Sequence, residues 1–211
     1  MTGHPVDLAT WPRADQFRFF RTFDRPHYAT TVRMDVTHLM ATRKETGLSP
    51  FRHTIWAIGQ GLHAVPELCM RFKGDEVTRY DRLKLSPTIP LDNGDFRYTY
   101  MTFDPDRAAF DAHAKEKIAE VRAGAPLNAN DGSIADVAYL SCLPWLDYTA
   151  LDNALPGPDD CIPRTSWGKI VQKGEGFDMA MTIQVHHALV DGLQVAQFFE
   201  ATQDALKSND S

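Results

Sequence analysis

The sequence predicts an α+β fold, a mixed α/β single domain over residues 1–211 with one large mixed β-sheet covered by helices. Three observations carry this. Helix-like and strand-like apolar spacings alternate along the chain, and a KGEG turn at 173–176 joins two late strand patterns into a hairpin. No repeat, low-complexity tract or linker-like break divides the chain. With 211 residues and 43% hydrophobic content, it can bury a sizeable core.

RADQFRFFRTF (13–23) reads as a short opening helix, and HYATTVRMDVT (27–37) alternates as a strand does. SPFRHTIWAIGQGLHAVPELCMRF (49–72) has helical spacing at Ile55, Ile58 and Leu62. After the turn KGDE come strands around Val77–Tyr80 and Phe96–Thr102. The clearest helix, within 104–124, opens on Asp104 and Pro105 and closes at Gly124, residues suited to helix ends. Strands follow at DVAYLSCL (136–143), SWGKIVQ (166–172) and FDMAMTIQV (177–185), and LQVAQFFEATQDAL (193–206) is a closing helix.

Composition excludes several function classes. The 22 basic residues are outnumbered by 28 acidic ones and are scattered, which argues against a nucleic-acid footprint or a membrane-surface patch. No apolar run reaches the roughly 18 residues of a membrane span, and MTGHPVDLATWPRADQ lacks the apolar centre of a secretory signal, so a cytoplasmic protein is expected. Cys69, Cys142 and Cys161 are odd in number, far apart and without CxxC spacing, so neither a disulfide framework nor a zinc knuckle is predicted.

The segment TIQVHHALVDGLQ (182–194) concentrates the chemistry. On a strand, Met179, Met181, Ile183 and Val185 share one face, and Ala180, Thr182, Gln184 and His186 the other. The two histidines therefore diverge. His187, at the strand's end, is the candidate general base, and His186 its structural neighbour. Asp191, before Gly192, sits where the chain turns from strand into helix; a carboxylate there holds the turn through backbone N–H groups or an ion pair. Divergent histidines with no third ligand at recognisable spacing make a metal site unexpected.

The whole pattern HHALVDG (186–192), after an apolar strand and before an amphipathic helix, resembles the HHxxxDG signature of the CoA-dependent acyltransferase superfamily. WPRADQF, MDVT, PELCMRFKGDEVTRYD, LSCLPWLDY and IPRTSWGKI extend the resemblance, in order and spacing, to the type A chloramphenicol acetyltransferase family over nearly the whole chain. The resemblance implies the CoA-dependent acyltransferase fold, a homotrimer with active sites at subunit interfaces, acetyl-CoA as cosubstrate, and acetyl transfer to a hydroxyl of chloramphenicol or a similar acceptor, as in antibiotic resistance. His187 takes the family's base position and Ser141 that of the serine that donates to the oxyanion, while Asp191 and Arg13 match a positioning ion pair. Ser166 stands where a hydroxyl holds a water in the same network, and Lys169 on the CoA side. Tyr28 lies where the family lines its acceptor pocket. Arg97 and Tyr98 replace an aromatic and small-residue run of that pocket, so a charged wall is expected. Trp145 reads as core or pocket wall. The alternatives are another hydroxyl or thiol acceptor on the same fold, as in dihydrolipoyl acyltransferases, and a non-catalytic trimer that binds a small molecule.

Overall fold

The computed structural model describes residues 2–208. In chain order the elements are β1 (Gly3–Val6), α1 (Ala14–Phe20), β2 (His27–Asp35), α2 (Thr37–Thr46), α3 (Pro50–Ala64), a 3-10 turn (Pro66–Cys69), β3 (Met70–Lys73), β4 (Glu76–Tyr80), β5 (Lys84–Pro90), β6 (Phe96–Tyr98), β7 (Met101–Thr102), α4 (Arg107–Arg122), β8 (Val137–Cys142), β9 (Arg164–Trp167), β10 (Val171–Lys173), β11 (Gly176–His186) and α5 (Gly192–Lys207). The large mixed sheet has eight strands, ordered β10-β11-β9-β8-β5-β6, with β2 on β11 and β7 on β5. β5, β8 and β9 run parallel to one another and the other pairings of this sheet are antiparallel. A second, three-stranded antiparallel sheet, β1-β4-β3, lies outside the single sheet the sequence predicts.

The helices form where local chemistry starts and stops them. In α3, Ser49 Oγ accepts from Arg52 N (3.4 Å), Pro50 occupies the first turn, and Ile55, Ile58 and Leu62 are fully buried. The helix stops at Ala64 because Val65 precedes Pro66 and is pushed to extended backbone; the apolar run beyond it becomes the 3-10 turn and β3. In α4 the cap is Asp106, whose Oδ1 accepts from Ala109 N (2.8 Å), two residues after the start expected at Asp104. α2 escapes the sequence pattern, since its residues show little amphipathic order and only Gly47, in left-handed backbone (φ 68°), marks its end.

The expected strand 96–102 divides into β6 and β7, and 166–172 breaks after Trp167. At Gly168 a Cβ would lie 2.6 Å from the Leu146 carbonyl, so only glycine lets the 143–148 backbone cross there; Lys169 N donates to that carbonyl (2.8 Å). β5 is hidden by Pro87 and Pro90, residues that argue against an interior strand.

Both faces of β11 are covered. Met179, Met181, Ile183 and Val185 enter the hydrophobic core, while the face carrying Thr182, Gln184 and His186 is strapped by residues 148–158. Tyr148 Oη pairs with Thr182 Oγ1 (3.3 Å), Gln184 Nε2 donates to Asp152 Oδ1 (2.6 Å) and its Oε1 accepts from Asn153 N (2.9 Å), and His186 Nε2 donates to the Pro158 carbonyl (2.9 Å). Each buried polar group on that face thereby finds a partner.

α3 packs against α5 at Gly61, where a Cβ would lie 2.0 Å from Thr202 Oγ1 and 2.8 Å from the Phe198 carbonyl. Gly61→Ala is expected to force the helices apart and cost about 1–3 kcal/mol, read as a lower midpoint in urea unfolding.

Candidate active site

Three chain segments converge on His187. It follows β11, and its N–H donates to the Pro26 carbonyl (2.8 Å), holding the strand end against the entry to β2. The imidazole stacks on Phe20 (centroids 3.8 Å, planes 8° apart) and lies against Tyr28 (4.7 Å, 51°). Nδ1 is buried and 3.1 Å from Asp191 Oδ1, outside hydrogen-bond alignment. Nε2 has no hydrogen-bonding partner among the described residues, so it is the nitrogen free to handle a proton.

The Asp191 carboxylate belongs to Arg13. The guanidinium forks onto it, Nη1 to Oδ2 and Nη2 to Oδ1 (3.1 Å), and Nη2 also reaches the His187 carbonyl (3.4 Å). Arg13 holds the Asp191 carboxyl below the ordinary carboxylate range. Asp191 N donates to Gln194 Oε1 (3.0 Å), which starts α5. Arg13 immediately precedes α1, so one ion pair ties α1, the β11 end and α5 around the imidazole. Burial first, then the Asp191 charge, pushes the Tyr28 phenol up to about 12; it stays protonated, within 3.3 Å of the Val190 carbonyl.

His186 points the other way, as strand alternation predicts. Nε2 donates to Pro158 and Nδ1 accepts from Ala188 N (3.1 Å), so both ring nitrogens are occupied. Burial, aided by neighbouring His27, lowers its pKa to about 4, and burial does the same to His53. Both imidazoles are neutral when folded and titrate near the ordinary 6.5 when unfolded. Stability is therefore present above pH 6.5 and is lost as pH falls toward 4, by on the order of a few kcal/mol for the pair; chemical unfolding at pH 7, 5.5 and 4.5 measures it.

Ser141 and Ser166 lie elsewhere. They are register neighbours on parallel β8 and β9, and Ser166 in turn faces Thr182 of β11. Two strand steps of about 4.8 Å and five residues at about 3.4 Å separate Ser141 from His187, roughly 20 Å. Within one chain the predicted catalytic set is thus divided in two.

Ser141 borders two cavities. The β5–β8 ladder ends at Pro87, paired with Leu140, because proline has no N–H to continue it. Past that point opens a cavity of about 330 Å³ lined by Ser86, Thr88, Tyr98, Ser141, Thr165 and Ser166, among others. A larger one, about 960 Å³, shares Thr88 and Ser141 and is walled by Phe51, Trp145, Trp167 and Lys169. Trp145 is 72% exposed at this wall and is no core residue. Ser166 opens on the smaller cavity and Lys169 on the larger. Arg97 lines neither: on β6 it alternates with Tyr98, and its Nη1 bonds Asp95 (2.6 Å) and the Phe96 carbonyl (2.8 Å). The expected charged wall is corrected accordingly. Burial raises the Cys142 thiol to about 12, so it offers no thiolate beside Ser141.

The family model for chloramphenicol acetyltransferase matches residues 1–203. The chain belongs to the chloramphenicol acetyltransferase family. Members of the family similar to it include chloramphenicol acetyltransferase 2 of Escherichia coli, 26% identical over 200 residues (94% of each chain), and the chloramphenicol acetyltransferase of Streptomyces acrimycini, 25% identical over 211 residues (97% of this chain, 94% of that one). A solved chloramphenicol acetyltransferase superposes with a TM-score of 0.87 at 22% identity, covering 98% of this chain and all of that one. The cubic core of the pyruvate dehydrogenase multienzyme complex shares the fold at a TM-score of 0.65 and 16% identity, over 92% of this chain and 86% of that one. Family membership makes the protein an acyltransferase, in a family that uses acetyl-CoA.

Sequence reasoning missed Phe20, which fixes the imidazole plane, and Arg43 and Arg122, which reach the larger cavity from α2 and α4. RFF (18–20) held the first signal; the arginines meet only after folding. No helix among the described residues is long and apolar enough to cross a membrane.

Proposed function

We propose that this family member transfers the acetyl group of acetyl-CoA to the hydroxyl of a small acceptor, with His187 as general base; chloramphenicol, named for its relatives, is the first acceptor to assay. The observation that carries the reading is the His187 ring, held between two aromatic side chains with Nε2 open. The acceptor hydroxyl gives its proton to Nε2 as its oxygen attacks the thioester carbonyl, and the Ser141 hydroxyl donates to the oxyanion. Collapse breaks the C–S bond, and the CoA sulfur takes the proton from His187. No covalent acyl-enzyme is needed, consistent with the protonated Cys142.

Two features support acetyl-CoA in the larger cavity. Its walls are apolar enough for a pantetheine arm, and Arg43, Arg122 and Lys169, for which no carboxylate partner is found among the described residues, lie there for phosphate groups. The division of the site supports a homotrimer in which His187 of one subunit faces Ser141 of the next. Phe19 and Phe23, 58% and 40% exposed, cluster with Phe20 beside His187 and would be covered by such a neighbour.

Release of CoA thiol from acetyl-CoA, with and without chloramphenicol, tests acetyl transfer. Co-expression of His187→Ala and Ser141→Ala chains tests the division. Mixed trimers contain sites with both residues intact and regain activity that each variant alone lacks; no recovery would place each site within one chain.

A further inference from the structure

Resting on the acetyl transfer proposed above, we infer that Thr88 selects the acyl group of the thioester, admitting unbranched chains such as acetyl and excluding those branched at the carbon next to the carbonyl. Two residues border both cavities, Thr88 and Ser141. A chain that reaches from one cavity into the other within a subunit passes between them.

The sheet explains why the passage lies there. The parallel rungs of β5 and β8 run from Lys84 on Val137 to Pro87 on Leu140, so Thr88 and Ser141 are the next positions in register, one step past the last rung. A rung holds strands about 4.8 Å apart. A carbon atom needs about 3.5–4.0 Å from the atoms on either side, so none fits between paired strands. The strands part only after Pro87, and Thr88 and Ser141 bound the gap where it is narrowest. The cavities it joins open on opposite faces of the sheet. Ser86 and Tyr139 line only the smaller one, whereas Ile89 and Cys142, which alternate with Thr88 and Ser141, line only the larger.

Both walls are stiff. Thr88 sits between Pro87, whose φ is fixed, and Ile89, which is 1% exposed and precedes Pro90. It also pairs with Tyr98 of β6, and two heavy atoms on its Cβ restrict its rotation. Ser141 follows the buried Leu140 and pairs with Ser166 of β9. Neither strand yields to a wider group without losing these contacts.

With the thioester carbonyl at Ser141, the next acyl carbon faces Thr88. A methyl or methylene there continues in single file toward the smaller cavity. A second substituent on the same carbon meets the Thr88 methyl. Selection therefore acts on branching before length. Propionyl exceeds acetyl by a carbon further along, where about 330 Å³ is open, and isobutyryl by one more at the gap itself.

The test measures thiol release from acetyl-CoA, propionyl-CoA and isobutyryl-CoA with chloramphenicol as acceptor, for the wild type, Thr88→Ser and Thr88→Val. The isobutyryl-to-acetyl ratio of kcat/KM decides. In the wild type, and in Thr88→Val with its matching outline, isobutyryl is expected at least about 10-fold below acetyl, with propionyl within about 5-fold. Thr88→Ser keeps the hydroxyl, removes the methyl and should raise the ratio by about 10-fold or more. A wild type that uses isobutyryl as well as acetyl, a ratio unchanged in Thr88→Ser, or one altered by about 10-fold in Thr88→Val overturns the inference and leaves acetyl transfer standing. If no thioester releases thiol, the transfer reading fails for this acceptor, and equilibrium dialysis of acetyl-CoA and isobutyryl-CoA against His187→Ala protein decides. Weaker isobutyryl-CoA binding that an added Thr88→Ser restores sustains the role of Thr88; equal binding, or a difference that Thr88→Ser leaves in place, overturns it.

Discussion

His187→Ala is expected to lower kcat by about 10²–10⁴-fold, the range lost with a positioned general base. The ring's packing makes the loss specific. Its side chain is 35% exposed and lies outside the hydrophobic core, so truncation removes a proton acceptor without opening the interior. Phe20 and Tyr28 still border the vacated position, and added imidazole is expected to restore part of the rate. His186→Ala provides the contrast. That ring is 2% exposed with both nitrogens bonded, so its loss leaves the Pro158 carbonyl and the Ala188 N–H unpartnered and lowers stability by about 2–4 kcal/mol. Thiol-release kinetics with thermal unfolding of both variants separates the roles. Equal kcat losses, or no imidazole rescue, would move the base away from His187.

Asp191→Ala carries the second large effect, on stability. It leaves the Arg13 guanidinium, with a side chain 10% exposed, beside the His187 carbonyl without its counter-ion. Breaking a buried pair from one side costs about 3–5 kcal/mol, and because Asp191 is 36% exposed the lower end is expected. At this chain length about 3 kcal/mol corresponds to a fall in Tm of roughly 6–12 °C. Adding Arg13→Met should recover part of it, since the orphaned charge goes too. The pH dependence has a definite sign. Arg13 holds the folded Asp191 carboxyl below its usual 3.8, so the pair's contribution is complete above that value and disappears as pH falls through the folded pKa. The wild-type and Asp191→Ala curves should run parallel near neutrality and converge in acid. A constant gap down to pH 2 would assign the loss to helix capping alone.

Legibility in the sequence followed the range of the interactions. Strand β11, helices α3, α4 and α5, and the divergence of His186 from His187 rest on periods of two and 3.6 residues, and these were readable. β5 was not, because Pro87 and Pro90 are unfavourable in a strand taken alone and are tolerated here where one ladder ends. Of the site, His187, Asp191 and Arg13 assemble around one ion pair, as the resemblance implies. Arg97 does not reach the cavity, because a one-residue alternation on β6 and the nearby Asp95 turn it aside.

By itself, then, the sequence determined the elements with strong period and caps, the family to which the chain belongs, and the identity of the imidazole at the end of β11. Only the tertiary structure decided that Ser141 stands roughly 20 Å from His187 in the same chain, and that Arg97 lines neither of the two cavities that Ser141 borders. The reason is physical. Periodicity and capping act over a few residues, whereas the meeting of β5, β8, β9 and the 148–158 strap depends on which strands pair and where a proline ends their ladder.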